Sequence, residues 1–595
     1  MRSRKLLALI FSLLAIAPAL AGYMTLLGAG VGSIQPVASW VSTTDPTFPS
    51  SSLPYSGPSL STMFDSTGKL TYKPNNLLTY SNTFSNAAWV KTNATVTGGI
   101  SDPFGGTNAF TIKANAGGGN SHIYQYVTGI AGMNLLETIW IRRRTGTGAV
   151  NFFTNSGTTG PAIPVTGTWQ QLSNVIVGLA TTYVGFTLAS LNDEVDIYAA
   201  TASTVTYETT PRAGDQVITT SAAYYGPRID YDPNTLAVKG LLIEEARTNL
   251  FTQSSFASGW TAGQLTGGGP NSATAPDGTN SAYSLIPNTT NTNHYVLQSN
   301  TTSSTGVLSV FAKANGYNYI CIISGGDSTY TYVNISTGVV GVTSTGRTAT
   351  TQQLSNGWWR INITGYPAFT SQSTVFYAYN ALQGSNTNPP AFAGDGTSGI
   401  LLWGAQLEVG AFATSYIPTA ASSVTRAADV VQFTGAALAA LQGASHSLLV
   451  QTSDVAAFGL NLAGAGNDYQ QIYNSSTVFS SRNANGGLTV TLPSGTFASP
   501  QRVGYATNGT TRSVVASGAI NTGSGGYVPV GSVYLGSYSS GAFIPNIHVT
   551  SLAVWNQRLS DATLQAKSVV GASYAANDNV NPFAPQFAVF VPTNL

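Results

Sequence analysis

Charge is what this chain of 595 residues has least of: Asp, Glu, Lys and Arg together make up 8%, against about 25% in an ordinary soluble domain. The formal balance is +1, so no field draws the chain onto phosphates or anionic lipid, and nucleic acid is not an expected partner. A lone cysteine, Cys321, excludes an internal disulfide framework. Set in the apolar run Tyr319-Ile-Cys-Ile-Ile323, it reads as a small core side chain. The four histidines, His122, His294, His446 and His548, have no second His or Cys at about three to five residues, so no metal is expected. No phosphate loop, nucleophile elbow or cofactor fingerprint is credible either, and the expected cofactor is none.

Paired acids are scarce as well, and hydrolysis of a polysaccharide usually needs two carboxyl groups about 5 to 10 Å apart. Asn192-Asp-Glu-Val-Asp196 stands at a turn entering a strand, with no acids at the matching place later in the chain. Glu244-Glu245 beside Arg247 reads as local ion pairing, and Asp215 and Asp429, beside Arg212 and Arg426, as a structural bridge at each of two domain exits. No catalytic residue is expected, and the chain is expected not to be an enzyme.

What is present suffices for buried cores: 43% hydrophobic and 10% aromatic residues rule against disorder. The surface must then be hydroxyl and amide, and the abundance of Thr, Tyr and Val favours strands. The chain also repeats itself. Trp89 and Trp260 are 171 positions apart, Thr107-Asn108 and Thr279-Asn280 172, and His122 and His294 172. Trp169 and Trp359 are 190 apart, and Arg212 and Arg426 214. A drifting offset with retained landmarks is the mark of loop insertion in a duplicated domain. His122 and His294, at one place in the repeat, read as a retained strand position. Short alternating runs such as Val375 to Asn380, separated by Gly, Asn, Ser and Pro, predict antiparallel sandwiches.

Several segments carry a resemblance. Leu402-Trp-Gly-Ala-Gln-Leu-Glu-Val-Gly410, Ser415-Tyr-Ile-Pro-Thr419 and Val424-Thr-Arg-Ala-Ala-Asp429 resemble the terminal signature of the jelly-roll carbohydrate-binding-like modules of phage head-spike and tail-fibre proteins. Gly240 to Leu250 resembles their lead-in segment, whereas the first copy has Asp196-Ile-Tyr-Ala-Ala200 where the signature is expected, so its ligand site is expected to be eroded. Tyr534-Leu-Gly-Ser537 and Leu552 to Ser560 are similar to the closing strands of concanavalin A-like or laminin-G-like lectin domains. Thr434 and Ser560 read as N-caps of two short helices.

The fold class so implied is all-β: tandem antiparallel jelly-roll sandwiches in two diverged copies plus a lectin-like sandwich. The expected domains are an apolar signal-like or anchoring segment (1–23), an extended attachment arm (24–63), sandwich copies at 64–215 and 216–430, a lectin-like domain (431–580) and a tail (581–595). For residues 1–23, cleavage, retention and a mis-set start codon stay open. The resemblance implies a virion fibre or spike that binds host-surface polysaccharide, joined to other virion proteins through its arm, as a homotrimer; the alternatives are a phage depolymerase and a secreted bacterial adhesin. The expected glycan-binding residue is Trp358. Its neighbour Trp359 matches Trp169 and should be core, so Trp358 should project from the opposite face as a partly exposed platform.

Overall fold

The computed structural model describes residues 38–41, 55–153, 159–212, 216–302, 304–324, 329–381, 389–453, 459–463, 469–475, 478–483, 490–492, 500–524, 531–535 and 546–572. Residues 1–23, much of the 24–63 arm and the 581–595 tail lie outside them, as does Asp215. The chain is all-β, with antiparallel sheets in tandem and, among the described residues, two short helices, Gly435–Leu441 and Asp561–Lys567. Ser560 caps the second, its side chain accepting from Thr563 N at 3.2 Å. Thr434 stands at the N-cap of the first in extended backbone but makes no side-chain capping bond.

The first sandwich has two five-stranded sheets. One runs in the spatial order Gln170–Val177, Asn134–Thr145, Glu194–Val205, Ala109–Ala114, Ala94–Ile100; the other runs Thr159–Ile163, Val150–Phe153, Thr181–Leu188, Ser121–Thr128, Val90–Thr92. Alternation fills the space between them. Ile123 and Val127 of Ser121–Thr128 point inward to join Trp89, Ile112, Leu135, Ile141, Phe152 and Phe186, while Tyr124 and Tyr126 point out.

The second sandwich repeats this strand order and adds one edge strand to each sheet, Val339–Thr343 and Thr348–Gln353. That hairpin accounts for the first step of the drifting offset, from 172 to 190, and not for the later step to 214. Thr159–Ile163 and Thr329–Asn334 start 170 positions apart, whereas Gln170–Val177 and Trp359–Tyr366, on the far side of the insertion, start 189 apart. Retained polar residues hold both copies in the same way. Asn76 Nδ2 donates to Ala200 O and Val217 O, and Asn249 Nδ2 to Ala405 O and Ile417 O. Gln125 and Gln298 clamp the backbone of Thr79 and Thr252, and the indoles of Trp89 and Trp260 donate to Tyr80 O and Gln253 O.

The histidines are not part of this repeat. With Gln125 matched to Gln298, His122 matches Tyr295, while His294 precedes its strand, buried with ring nitrogens 2.6 and 2.9 Å from Gln264 O and Phe392 O.

The third sandwich borrows strands from across the chain. Its main sheet runs Ile229–Tyr231, Val238–Ile243, Ile547–Trp555, His446–Thr452, Gln501–Thr507, Thr511–Ala516, Ala519–Ser524, and Ala38–Val41 also pairs with Ile547–Trp555. Ile229, Leu241 and Ile243, read from the sequence as the entry to the second copy, pack in one core with Leu448, Val503, Ile547 and Val554. Tyr55 and Ser56, assigned by the sequence to the arm, pair with Val431 and Val430. An eight-residue neighbourhood cannot reveal such pairing, because the partner strands lie hundreds of positions away.

Candidate functional site

The scarce charges of the chain converge where these pieces meet. Arg228, 0% exposed at its side chain, pairs with Glu244 at 2.5 Å and with Asp429; Glu244 also lies 3.4 Å from Arg426, which is 3.9 Å from Asp429. Tyr55 donates to Asp429, and Lys73 Nζ to Gly57 O at 2.6 Å. Burial outweighs the nearby Asp429 and lowers the Lys73 ammonium to about 7. Burial alone would raise Glu244, but Arg228 and Arg426 hold its carboxyl well below the usual carboxylate range. Every member has a partner inside the protein and all but the half-buried Tyr55 are buried, so this cluster is a keystone. The expected pairing of Asp429 with Arg426 exists, but Arg228, not singled out in the sequence, is the nearer partner. Glu245 does pair with Arg247, while Glu244 turns inward.

Trp358 does not form the expected platform. It points to the outer face of its sheet, as the alternation requires, yet it is 1% exposed. The hairpin Thr62–Phe64 and Leu70–Tyr72 covers that face, packing Phe64 and Leu70 against Trp358, Phe311, Leu401 and Trp403. The indole donates to Thr274 O at 3.3 Å. Trp358 is core, and the half-buried indole of the pair is Trp359.

An exposed aromatic surface occurs instead in the first sandwich, where the sequence predicted erosion. Tyr126 and Tyr183 are cross-strand partners on the outer face of the sheet containing Ser121–Thr128 and Thr181–Leu188. Their ring centroids are 4.9 Å apart, and Tyr124 lies 5.4 Å from Tyr126 and 5.2 Å from Tyr183. Phe153, 5.2 Å from Tyr124, backs the group. Tyr126 is 50% exposed. Hydrogen bonding with Tyr124 raises the Tyr126 phenol, and hydrogen bonding with Tyr126 raises that of Tyr183, so the hydroxyls stay neutral. Rigid rings with neutral hydroxyls at their rims offer apolar area and hydrogen bonds together. The signal in the sequence was Tyr124-Gln-Tyr126, two tyrosines at a spacing that sends both to one face.

The second sandwich has Ser299 and Ser373 at the places of Tyr126 and Tyr183, their hydroxyls 3.0 Å apart. A groove of about 640 Å³ borders the Ser299 side of this position, lined by Leu297, Gln298, Ser299, Asn300, Thr252 and Thr261 among others. The two copies thus present an aromatic face and a polar groove at one topological position. Among the described residues no cluster of three His, Cys, Asp or Glu side chains could hold a metal.

No family model matches this chain, and no curated protein matches it. Among solved structures it is similar to the sialidase of Trypanosoma rangeli. The complex with 2,3-difluorosialic acid gives a TM-score of 0.18 at 9% identity over 86% of this chain and 90% of that one. The complex with sialic acid gives 0.17 at 10% identity over 82% and 85%. The class defined here is an all-β protein of tandem antiparallel sandwiches. The expectation that the chain is not an enzyme is corrected at this point, because the solved structures it is similar to are sialidases, and the negative reading is dropped. At such TM-scores the likeness assigns no activity either.

Proposed function

We propose that this chain is a glycan-binding fibre or spike protein of a bacteriophage particle, contacting host-surface polysaccharide through Tyr124, Tyr126 and Tyr183. The observation that carries the reading is the half-open tyrosine face, set on a protein in which only 8% of the residues are charged. Aromatic rings stack on the C–H faces of sugars while their hydroxyls bond to sugar oxygens, and neither contact needs charge. The segments that resemble phage spike modules and lectin closing strands support the placement on a virion. There the N-terminal residues join the chain to other virion proteins, and a homotrimer presents several tyrosine faces at once, multiplying weak contacts.

The test is binding of the full chain to an array of bacterial capsular and lipopolysaccharide glycans, wild type against Tyr126→Ala/Tyr183→Ala. Loss of roughly tenfold or more in affinity, which corresponds to about 1.4 kcal/mol, is expected with an unchanged melting temperature, because the side chains are at the surface. Equal binding by the double variant removes the site, and absence of any glycan ligand for the wild type removes the reading.

A further inference from the structure

The Asn192 to Asp196 acids, which the tyrosine face leaves unexplained, lead to the opposite sheet of the first sandwich. In a chain with 23 basic residues among 595, three arginines stand in a row at 142 to 144. Arg143 turns to one side, where it bonds Asp193 Oδ2 at 3.2 Å and Gly148 O at 2.8 Å. Arg142 and Arg144 turn to the other and share one carboxylate: Arg142 Nε donates to Asp196 Oδ2 at 2.9 Å and Arg144 Nε to Asp196 Oδ1 at 3.0 Å. The Thr111 hydroxyl completes the carboxylate at 2.6 Å. Burial works against the Asp196 charge, but Thr111, Arg144 and Arg142 prevail and hold its pKa below the ordinary value.

The way the guanidiniums are held matters more than the pairing. Each spends its Nε on Asp196, so the terminal amino groups of both are left without a hydrogen-bond partner among the described residues. Asp196 is 2% exposed at its side chain, whereas Arg142 is 27% and Arg144 41% exposed. Two positive groups over one buried negative one leave an outward-facing excess charge. Arg142 is further fixed by stacking 4.8 Å from the Trp169 ring, and on the same face Trp140 lies 5.4 Å from the largely exposed Phe104. A guanidinium fork is matched to the two oxygens of a carboxylate or similar oxyanion, and ordering it before the ligand arrives removes part of the cost of binding.

The second sandwich shows what this face looks like when it is merely structural. With Trp140 matched to Phe311 across the same bulge, Arg142, Arg144 and Asp196 become Lys313, Asn315 and Leu401. Leu401 is covered by the Thr62–Tyr72 hairpin, and Lys313 donates to Asn356 O at 2.8 Å. The first copy is uncovered there and carries the arginines.

We propose that Arg142 and Arg144, held by Asp196, bind the carboxylate of an acidic sugar whose ring rests on the aromatic wall of Trp169 and Trp140. This is a second site, on the opposite sheet from the tyrosines and independent of them. The probes are the methyl glycosides of glucuronic, galacturonic and mannuronic acid, their neutral hexose counterparts and inorganic phosphate, titrated calorimetrically into the full chain at low salt. At least one uronide is expected to bind at millimolar concentration, its neutral counterpart not to bind, and the affinity to fall tenfold or more in Arg144→Gln. Tyr126→Ala/Tyr183→Ala is expected to leave this binding unchanged, which separates the site from the proposed function. Arg144 is exposed enough that its variant should fold, and the melting temperature checks this. Equal binding of the neutral sugars, no binding of any uronide, unchanged affinity in Arg144→Gln, or binding of phosphate alone would each overturn the proposal.

Discussion

Ala199 in the first sandwich and Gly404 in the second occupy the same β-bulge, both in left-handed backbone, with φ of 48° and 63°. The bulge interrupts the strand that carries Tyr198 or Trp403 on its outer face, and only one copy has kept the glycine that suits it. A non-glycine residue in that region costs roughly 1 to 2 kcal/mol, which glycine avoids at a smaller entropic cost in the unfolded chain. Ala199→Gly should therefore stabilise the first sandwich by up to about 1 kcal/mol. Gly404→Ala should destabilise the second by more, because the new Cβ meets the Phe311 ring at 2.8 Å. Urea unfolding of both variants measures the two signs, and a loss in Ala199→Gly contradicts the shared bulge.

Glu137 lies inside the first sandwich, 2% exposed, where the second has Leu308. Neither carboxyl oxygen makes a well-formed hydrogen bond among the described residues, Asn174 being its only nearby side-chain donor. Burial pushes its pKa well above the usual carboxylate range, against a smaller opposing effect of Asn174. The folded form thus holds its proton more tightly than the unfolded one. Its contribution is most favourable below the unfolded value of about 4.3 and is lost progressively as pH rises from there toward the folded pKa. Glu137→Leu should flatten that slope and add roughly 1 to 3 kcal/mol at pH 7. Denaturant midpoints at pH 4 and pH 7 decide it, and equal gains at both pH values would refute the assignment.

Arg228 joins Glu244 to Asp429 with its whole side chain buried. Removing one member of a buried ionic cluster leaves charge without compensation and costs roughly 3 to 5 kcal/mol. Arg228→Met is expected to lower stability by that amount and to loosen the second and third sandwiches together, since Glu244 and Asp429 stand between strands of the third, Val238–Ile243 and Val430–Phe433, and the paired strands Arg247–Asn249 and Val424–Arg426 that lead into and out of the second. Hydrogen exchange by fragment shows whether protection falls in both units or in one.

Trp358→Ala removes a large side chain from the cluster beneath the Thr62–Tyr72 hairpin. A loss of about 3 to 5 kcal/mol is expected, with glycan affinity unchanged once the variant is held below its melting temperature. An unaltered melting temperature would contradict the burial.

Strand periodicity, turn residues and the duplication were readable because they depend on neighbours in sequence or on comparison of two halves. The alternation that placed Trp358 opposite Trp359 was also right about direction. What it could not contain was Phe64 and Leu70, which arrive from about 290 positions upstream to bury the face. The tyrosine face was missed for a related reason. The better-preserved signature marks the second copy, yet Leu402 to Leu407 of that signature is a buried strand, so its preservation reports packing. Arg228 was overlooked because it stands alone in Gly226-Pro-Arg-Ile, and only the fold brings Glu244, Asp429 and Tyr55 around it.

The strand Ile547–Trp555 is the one to which Val238–Ile243 and Ala38–Val41 both attach. On a ribosome the early strands emerge first and their partner about 300 residues after Val238–Ile243 and about 510 after Ala38–Val41, intervals of roughly 15 to 100 seconds at about 5 to 20 residues per second. Throughout that wait two adhesive edges stand open beside sandwiches that can already have closed. Neighbouring nascent chains on one messenger are then competitors for the same pairing, and the yield of correctly closed molecules becomes a question of elongation speed as much as of final stability.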